Sequence, residues 1–154
     1  MLAILSIYQF PRISIDLALA FPQVELDVDV FMELPLGMWV DVNRGEWVLK
    51  LNKSLYGLKK ASANWFDLIK TGLKRRGYHQ SIVDPWLFYR KYSVILTYVD
   101  DCVIVPHKQE TIISLIESLK NGPENYVLKD EEDISNDLGV NIKKNLNEAF
   151  KWLQ

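Results

Sequence analysis

Two stretches of the chain repeat their apolar residues with the 3.6-residue period of an amphipathic helix. In 61–76 this period brings Trp65 and Ile69 to one face, and the following glycine is a typical residue after a helix end. In 109–120 apolar residues follow the same period, and the sequence Asn-Gly-Pro at 121–123 would stop the helix. We therefore predict two helices, at 61–76 and 109–120.

Shorter apolar or alternating runs predict β-strands. Residues 13–21 are mostly apolar and carry a single charge, Asp16, so we expect a buried strand whose end carries a carboxylate. Two β-rich runs, 94–99 and 102–105, are separated only by the pair Asp100–Asp101, which predicts a hairpin turning there. Further strands are predicted at 46–51, 86–90, 138–142 and 150–153, the last two as a closing hairpin. This order of elements predicts an α+β fold, an antiparallel sheet with helices packed on one face.

Composition narrows the class of protein. A chain of 154 residues with 49% hydrophobic and 25% charged residues suits one globular domain. The net charge of −2 is not that of a self-sufficient nucleic-acid binder, which usually carries a basic face. Cys102 is the one cysteine, so it is expected to be a small buried hydrophobe. No apolar run reaches the roughly 18 residues of a membrane span. No targeting signal is recognised, which favours the cytoplasm or nucleus over secretion.

The adjacent carboxylates Asp100 and Asp101 are the most informative chemical feature. A tight turn favours Asn-Gly or Asp-Gly, whereas two aspartates put like charges side by side between strands that we expect to be buried. A divalent cation such as Mg²⁺, which prefers oxygen ligands, would neutralise them, and Asp16 is a candidate third ligand. From these residues alone, a solvated turn without a metal remains the alternative.

Six short motifs follow one another along the chain. They are DLALAF at 16–21, VFMELPLG at 30–37, KSLYGLKKA with NWF at 53–66, DPWLF at 84–88, YVDD at 98–101 and LGVNI at 138–142. In this order they resemble the reverse transcriptase domain of Ty1/copia-type retrotransposon Pol polyproteins. YxDD is the box of reverse transcriptases in general, and the KSLYGLK segment is peculiar to the copia group. The resemblance covers about residues 13 to 154.

The resemblance implies an RNA-directed DNA polymerase that works by two-metal nucleotidyl transfer. Asp16, Asp100 and Asp101 would be the catalytic carboxylates and would hold two Mg²⁺ (or Mn²⁺) ions. The primer 3′-hydroxyl would attack the α-phosphate of a deoxynucleotide triphosphate on an RNA or DNA template. The closing hairpin, with Leu138 and Gly139, would cradle the primer.

Further roles follow from the same motifs. Leu17 would offer its backbone carbonyl to the second metal, and Phe21 would sit under the incoming sugar, although a core aromatic is the alternative for Phe21. Tyr56 and Gly57 would line the nucleotide pocket, with Gly57 allowing close backbone approach. Tyr98 would pack near the primer end, or else form a cross-strand aromatic pair.

By the resemblance, 13–154 forms a polymerase palm core that includes the primer-grip hairpin, and 1–12 is an N-terminal remnant. Fingers and thumb are expected to be truncated, and the missing parts, with RNase H, to belong to the same polyprotein. Leu19 replaces a residue that is often polar, and Trp86 stands where the family often has cysteine.

Two other interpretations stay open. The chain could be a non-enzymatic remnant that keeps the palm motifs, which the acidic composition and the expected truncation favour. It could also be another two-metal palm, such as a nucleotide cyclase, which the KSLYGLK segment at 53–66 argues against. We expect little or no primer extension from the isolated chain.

Overall fold

The computed structural model describes residues 13–38, 43, 45–106, 109–129, 136–137, 140–144 and 150–153. Within these ranges, antiparallel strands form three sheets, and two α-helices accompany them. The helices are α1 (Ala61–Arg75) and α2 (Gln109–Lys120), and a short 3-10 helix spans Phe21–Gln23. Neither helix is long and apolar enough to cross a membrane. The predicted α+β class is confirmed at this level.

The largest sheet brings the DLALAF motif at 16–21 next to the YVDD motif at 98–101. Its strands are β1 (Ile13–Asp16), β4 (His79–Gln80), β5 (Leu87–Arg90), β6 (Ser93–Tyr98) and β7 (Asp101–Pro106). They lie in the order β1-β7-β6-β5-β4, so β1 pairs with a strand far from it in sequence. The smaller sheets pair β2 (Glu25–Glu33) with β3 (Val48–Lys53), and β8 (Asn136–Asp137) with β9 (Val140–Lys144) and β10 (Phe150–Leu153).

One face of the large sheet and the two helices form a common core. Ile15, Ile95 and Ile104 project from three adjacent strands and are at most 1% exposed. Trp65 of α1 and Leu115 of α2 belong to the same buried cluster. Burying one such side chain stabilises the fold by roughly 1.5–3 kcal/mol. Because successive strand residues point to opposite faces, the neighbours of these core residues lie on the other face of the sheet.

The C-terminal ends of the helices are joined by a buried ion cluster, which we call the Glu124 cluster. Glu124, just after α2, has a side chain only 3% exposed, and it accepts hydrogen bonds at 2.6 and 2.9 Å from Arg75, the last residue of α1, and from Arg76, which follows it. Arg76 also donates to the Ser118 hydroxyl at 2.7 Å. Burial by itself would raise the pKa of Glu124, but the hydrogen bonds from the two arginines outweigh it, so the pKa is lowered.

Several predicted elements agree with the structure. The helix predicted at 109–120 has the observed bounds, and that predicted at 61–76 ends one residue earlier, at Arg75. Gly77 adopts φ +78°, the left-handed conformation that suits a residue after a helix end. The closing hairpin is confirmed as the pairing of β9 with β10. Cys102 is buried, as expected.

Other boundaries were predicted wrongly. The strand predicted at 13–21 ends at Asp16, and the chain then turns into the 3-10 helix, which carries a proline in its first turn. The hairpin turns at Val99–Asp100 rather than at Asp100–Asp101, so Asp101 is the first residue of β7. One sheet was predicted, whereas the described residues form three. Leu138, Gly139 and residues 1–12 lie outside the described residues.

Candidate functional site

Two of the predicted carboxylates are direct cross-strand neighbours. Asp16 ends β1 and pairs with Asp101, the first residue of β7. Asp101 pairs on its other side with Tyr98, the last residue of β6. Because directly paired residues share a face, these three side chains form a row with Cβ atoms roughly 4.5–5.5 Å apart. We call it the carboxylate row. It lies on the face opposite the core, since the adjacent Ile15 and Cys102 are buried.

Asp100 occupies the turn that joins β6 to β7, beside this row. The preceding residue, Val99, has φ +52°, which is unfavourable for a β-branched side chain. Two hydrogen bonds hold the turn: the Trp65 indole N–H donates to the Val99 carbonyl at 2.8 Å, and the Leu17 N–H donates to the Asp100 carbonyl at 2.6 Å. Strained backbone of this kind persists where the surroundings fix it, and it is common at functional sites.

Tyr56 fixes the side chain of Asp100. Its hydroxyl lies 2.7 and 2.9 Å from the two carboxylate oxygens and donates to them. Partial burial, and then this hydrogen bond, raise the pKa of Tyr56 to about 12. The phenol is therefore protonated at neutral pH and acts as a neutral donor. Gly57 beside it has φ +96°, so glycine is needed there for its backbone conformation, and an added Cβ would meet no atom within 4 Å.

Asp16 has two oxygens in different surroundings. Oδ2 accepts a hydrogen bond from the Lys129 ammonium at 2.8 Å, whereas Oδ1 is buried and has no hydrogen-bond partner. The hydrogen bond to Asp16 raises the pKa of Lys129, and the charges of Asp100 and Asp101 add to the effect. The sequence analysis missed Lys129. No pattern in the chain pointed to it, because its partner lies 113 positions away.

The remaining predicted site residues surround these carboxylates to different degrees. Leu17 is fully buried, and its backbone forms an isolated bridge with Leu128. Phe21 packs partly against the core and has its ring centroid 4.4 Å from that of Tyr56. Tyr98 is 56% exposed and lies near Trp86, with ring centroids 6.5 Å apart. Phe21 and Tyr56 are thus brought together beside Asp100. For Leu138 and Gly139 no position can be given.

The donor atoms fit a hard divalent cation, although they are not assembled into a closed site. Among the described residues, no group of three or more His, Cys, Asp or Glu side chains is arranged to hold a metal ion. The buried, unpartnered Oδ1 of Asp16 nevertheless offers a free ligand atom opposite Asp101. Carboxylate oxygens are the ligands that Mg²⁺ prefers. A cation here would also relieve the repulsion between neighbouring carboxylates.

Comparison with known proteins identifies relatives over most of the chain. Residues 1–151 match the family described as "Reverse transcriptase (RNA-dependent DNA polymerase)". The chain is 31% identical to the Retrovirus-related Pol polyprotein from transposon TNT 1-94 of Nicotiana tabacum, over 91% of this chain and 11% of that protein. It is 32% identical to the corresponding polyprotein from transposon RE1 of Arabidopsis thaliana, over 88% and 9%.

A yeast polyprotein is also similar to the chain. The Transposon Ty1-MR1 Gag-Pol polyprotein of Saccharomyces cerevisiae is 29% identical over 84% of this chain and 8% of that protein. The chain thus spans about a tenth of the length of these relatives. No solved structure was found to match it. The resemblance to Ty1/copia-type Pol polyproteins, predicted from the six motifs, is confirmed.

Proposed function

Because the chain belongs to the reverse transcriptase family, we propose that it forms the palm of an RNA-directed DNA polymerase. The observation that carries the proposal is the direct pairing of Asp16 with Asp101, with Asp100 in the adjoining turn. A five-stranded antiparallel sheet, packed against α1 and α2 on its other face, supports this row. Rigid strands suit a site that must hold reacting groups in fixed positions.

The proposed chemistry is transfer of a nucleotidyl group from a deoxynucleotide triphosphate to a primer 3′-hydroxyl. Asp16, Asp100 and Asp101 are the ligands for two divalent ions, Mg²⁺ or Mn²⁺. The chemistry that such ions supply when bound is activation of the attacking hydroxyl and neutralisation of charge on the leaving group. Tyr56 holds the Asp100 carboxylate in one orientation by donating a hydrogen bond from its neutral hydroxyl.

We further propose where the substrates lie. Phe21 and Tyr56, whose rings are in contact, form the side of the site that receives the incoming sugar, and Gly57 belongs to the same pocket. Leu17 follows Asp16 and would present its carbonyl to the second ion. Tyr98, exposed beside Asp101 in the row, faces the primer end, with a template–primer duplex of RNA or DNA lying over this face.

The partners in the proposal are the nucleic acid, the nucleotides and further protein parts. The relatives are named as Pol or Gag-Pol polyproteins and are about ten times longer than the matched region. We propose that fingers, thumb and RNase H of such a polyprotein complete the enzyme. The net charge of −2 agrees with this, since most of the grip on the phosphate backbone would then come from other parts.

Primer extension on an RNA template tests the function directly. The wild-type chain and Asp101→Asn would be compared with Mg²⁺ or Mn²⁺ and labelled deoxynucleotides, alone and joined to the flanking parts of a related polyprotein. Incorporation by the joined wild type, absent in Asp101→Asn, would support the proposal. Equal incorporation by both proteins would contradict it.

The second candidate is a non-enzymatic remnant that retains the motifs. The specific observation in its favour is the lack of positive net charge for binding a template. It predicts no incorporation by the wild type, even when the flanking parts are supplied. Robust incorporation by the isolated chain would exclude it.

A further inference from the structure

The ammonium of Lys129 lies against one end of the carboxylate row. It lies 2.8 Å from Oδ2 of Asp16, and that side chain is directly opposite Asp101. Lys129 is the cation that the described structure places on Asp16. The row therefore carries part of its neutralising charge on the chain itself.

Hydrogen bonds fix the backbone around Lys129, whereas its side chain is largely exposed. The Lys129 N–H donates to the Asp16 carbonyl at 2.9 Å, and the neighbouring Leu128 forms a bridge with Leu17. One step earlier, the Gln23 side chain accepts from the Val127 N–H at 3.0 Å. The Lys129 side chain, in contrast, is 64% exposed. The ammonium can thus leave Asp16 by rotation about side-chain bonds while the strand pairing stays intact.

We propose that Lys129 is the resident counter-ion of Asp16 in the carboxylate row and that a divalent cation competes with its ammonium for this carboxylate. This inference rests on the proposed function, because it concerns the same metal-binding carboxylates. Lys129 is here a positioning residue that acts through Asp16. It sets the affinity of the carboxylate row for the metal.

Competition has a measurable consequence. A metal that takes Oδ2 of Asp16 must break the ion pair with Lys129, whereas Oδ1 has no partner to lose. Removing the ammonium therefore removes the competitor and leaves Asp16, beside Asp101, without its ion-pair partner, which favours the metal-bound state. The dissociation constant for the metal should fall by roughly twofold to fivefold, the size expected for a largely exposed ion pair.

The structure supplies a matched control for the change in charge. Lys50 forms a 2.6 Å ion pair with Asp29 on the β2–β3 sheet, and its side chain is 54% exposed. Lys50→Met and Lys129→Met each remove one exposed lysine from one aspartate and change the net charge equally. Only Lys129→Met alters the carboxylate row. Lys129→Arg is the conservative variant, because it keeps a cation beside Asp16.

Titration of the purified chain with Mn²⁺ alone, followed by electron paramagnetic resonance of the free ion, measures the affinity. We expect tighter binding for Lys129→Met, and wild-type affinity for Lys129→Arg and Lys50→Met. Unchanged or weaker binding by Lys129→Met, with binding by the wild type abolished in Asp101→Asn, would overturn the inference alone. Binding unaffected by Asp101→Asn would instead overturn the metal site of the proposed function. Thermal unfolding of each variant without metal confirms that it is folded.

Discussion

The Glu124 cluster and the carboxylate row solve the problem of grouped charges in opposite ways. In the first, one carboxylate is almost fully buried and receives hydrogen bonds from two guanidinium groups. In the second, Asp16 and Asp101 face each other, with one largely exposed ammonium on Asp16 and one Asp16 oxygen without a hydrogen-bond partner. Among the described residues, both oxygens of Glu124 are hydrogen-bonded, whereas only one oxygen of Asp16 is.

The difference separates a cluster that stabilises the fold from one arranged to bind something. Removing one partner of a buried ion pair leaves an uncompensated charge, so complete clusters resist substitution. An incomplete cluster already contains repulsion and an unsatisfied acceptor. Neutralising one of its members should therefore cost little stability, and an added cation should stabilise it. The two clusters thus predict opposite responses to equivalent Asp/Glu→amide substitutions.

The largest effect is expected for Glu124→Gln. The amide cannot neutralise Arg75 and the largely buried Arg76, so the free energy of unfolding should fall by about 3 kcal/mol. Urea denaturation followed by circular dichroism measures this. Glu117→Gln, at an exposed position of α2, is the matched control and should change stability by less than about 0.5 kcal/mol. Equal effects of the two substitutions would show that the Glu124 cluster contributes no special stability.

The same cluster predicts a dependence on pH. The pKa of Glu124 is lower in the folded chain than the value of about 4.3 for an ordinary glutamate, so its contribution is fully present above that value. The contribution is lost as the pH falls through the lowered folded-state pKa. The stability gap between wild type and Glu124→Gln should thus persist at neutral pH and narrow below about 4.3. A gap that widened on acidification would contradict the sign of this shift.

Metal binding should stabilise the protein through the carboxylate row and not through the Glu124 cluster. At a hundredfold excess over its dissociation constant, Mg²⁺ or Mn²⁺ should stabilise the wild type by about 2.7 kcal/mol. The Asp100→Asn/Asp101→Asn double variant should gain nothing from the ions, and without metal it should lose less stability than Glu124→Gln, because relief of repulsion offsets part of the weakened hydrogen bonding of Asp100. Differential scanning calorimetry with and without the ions tests both statements. An equal change in stability of the two proteins on adding the ions would contradict the proposed metal site.

Local sequence patterns predicted the helices and strands of this fold more accurately than the turns and the contacts between them. The period of 109–120 gave the bounds of α2, since amphipathic spacing is a property of neighbouring residues. The turn was placed one residue too late because Val99, with φ +52°, is a poor turn residue locally. It is held there by the Trp65 indole, which is distant in sequence. Local propensity cannot register a contact of that kind.

The candidate site shows the same contrast between features that a local motif predicts and features that long-range packing sets. Asp100 and Asp101 were recognised because the motif is contiguous, and Asp16 because a lone charge in an apolar strand is conspicuous. The direct register of Asp16 with Asp101 depends on the pairing of β1 with β7. The ion pair of Asp16 with Lys129 depends on a bridge between Leu17 and Leu128. Neither follows from composition or periodicity, because both are set by long-range packing.

The smallest effect is expected for Tyr56→Phe, which removes the neutral donor to Asp100. Tyr56 is 52% exposed, so loss of this hydrogen bond should lower stability by no more than about 1 kcal/mol. Tyr89→Phe, at a tyrosine that is 48% exposed on β5, is the matched control and should have no comparable effect.

The pH dependence of this small effect identifies its cause. The folded-state pKa of Tyr56 is raised from 10.0 to about 12, so the hydroxyl contributes stability below pH 10, and this contribution is lost as the pH rises towards 12. The difference between wild type and Tyr56→Phe should therefore be constant from pH 6 to about 9 and then shrink. Urea denaturation across this range measures the difference, and absorbance of tyrosinate follows the ionisation. A difference that stayed constant up to pH 12 would mean that ring packing against Phe21, rather than the bond to Asp100, sets the contribution of Tyr56.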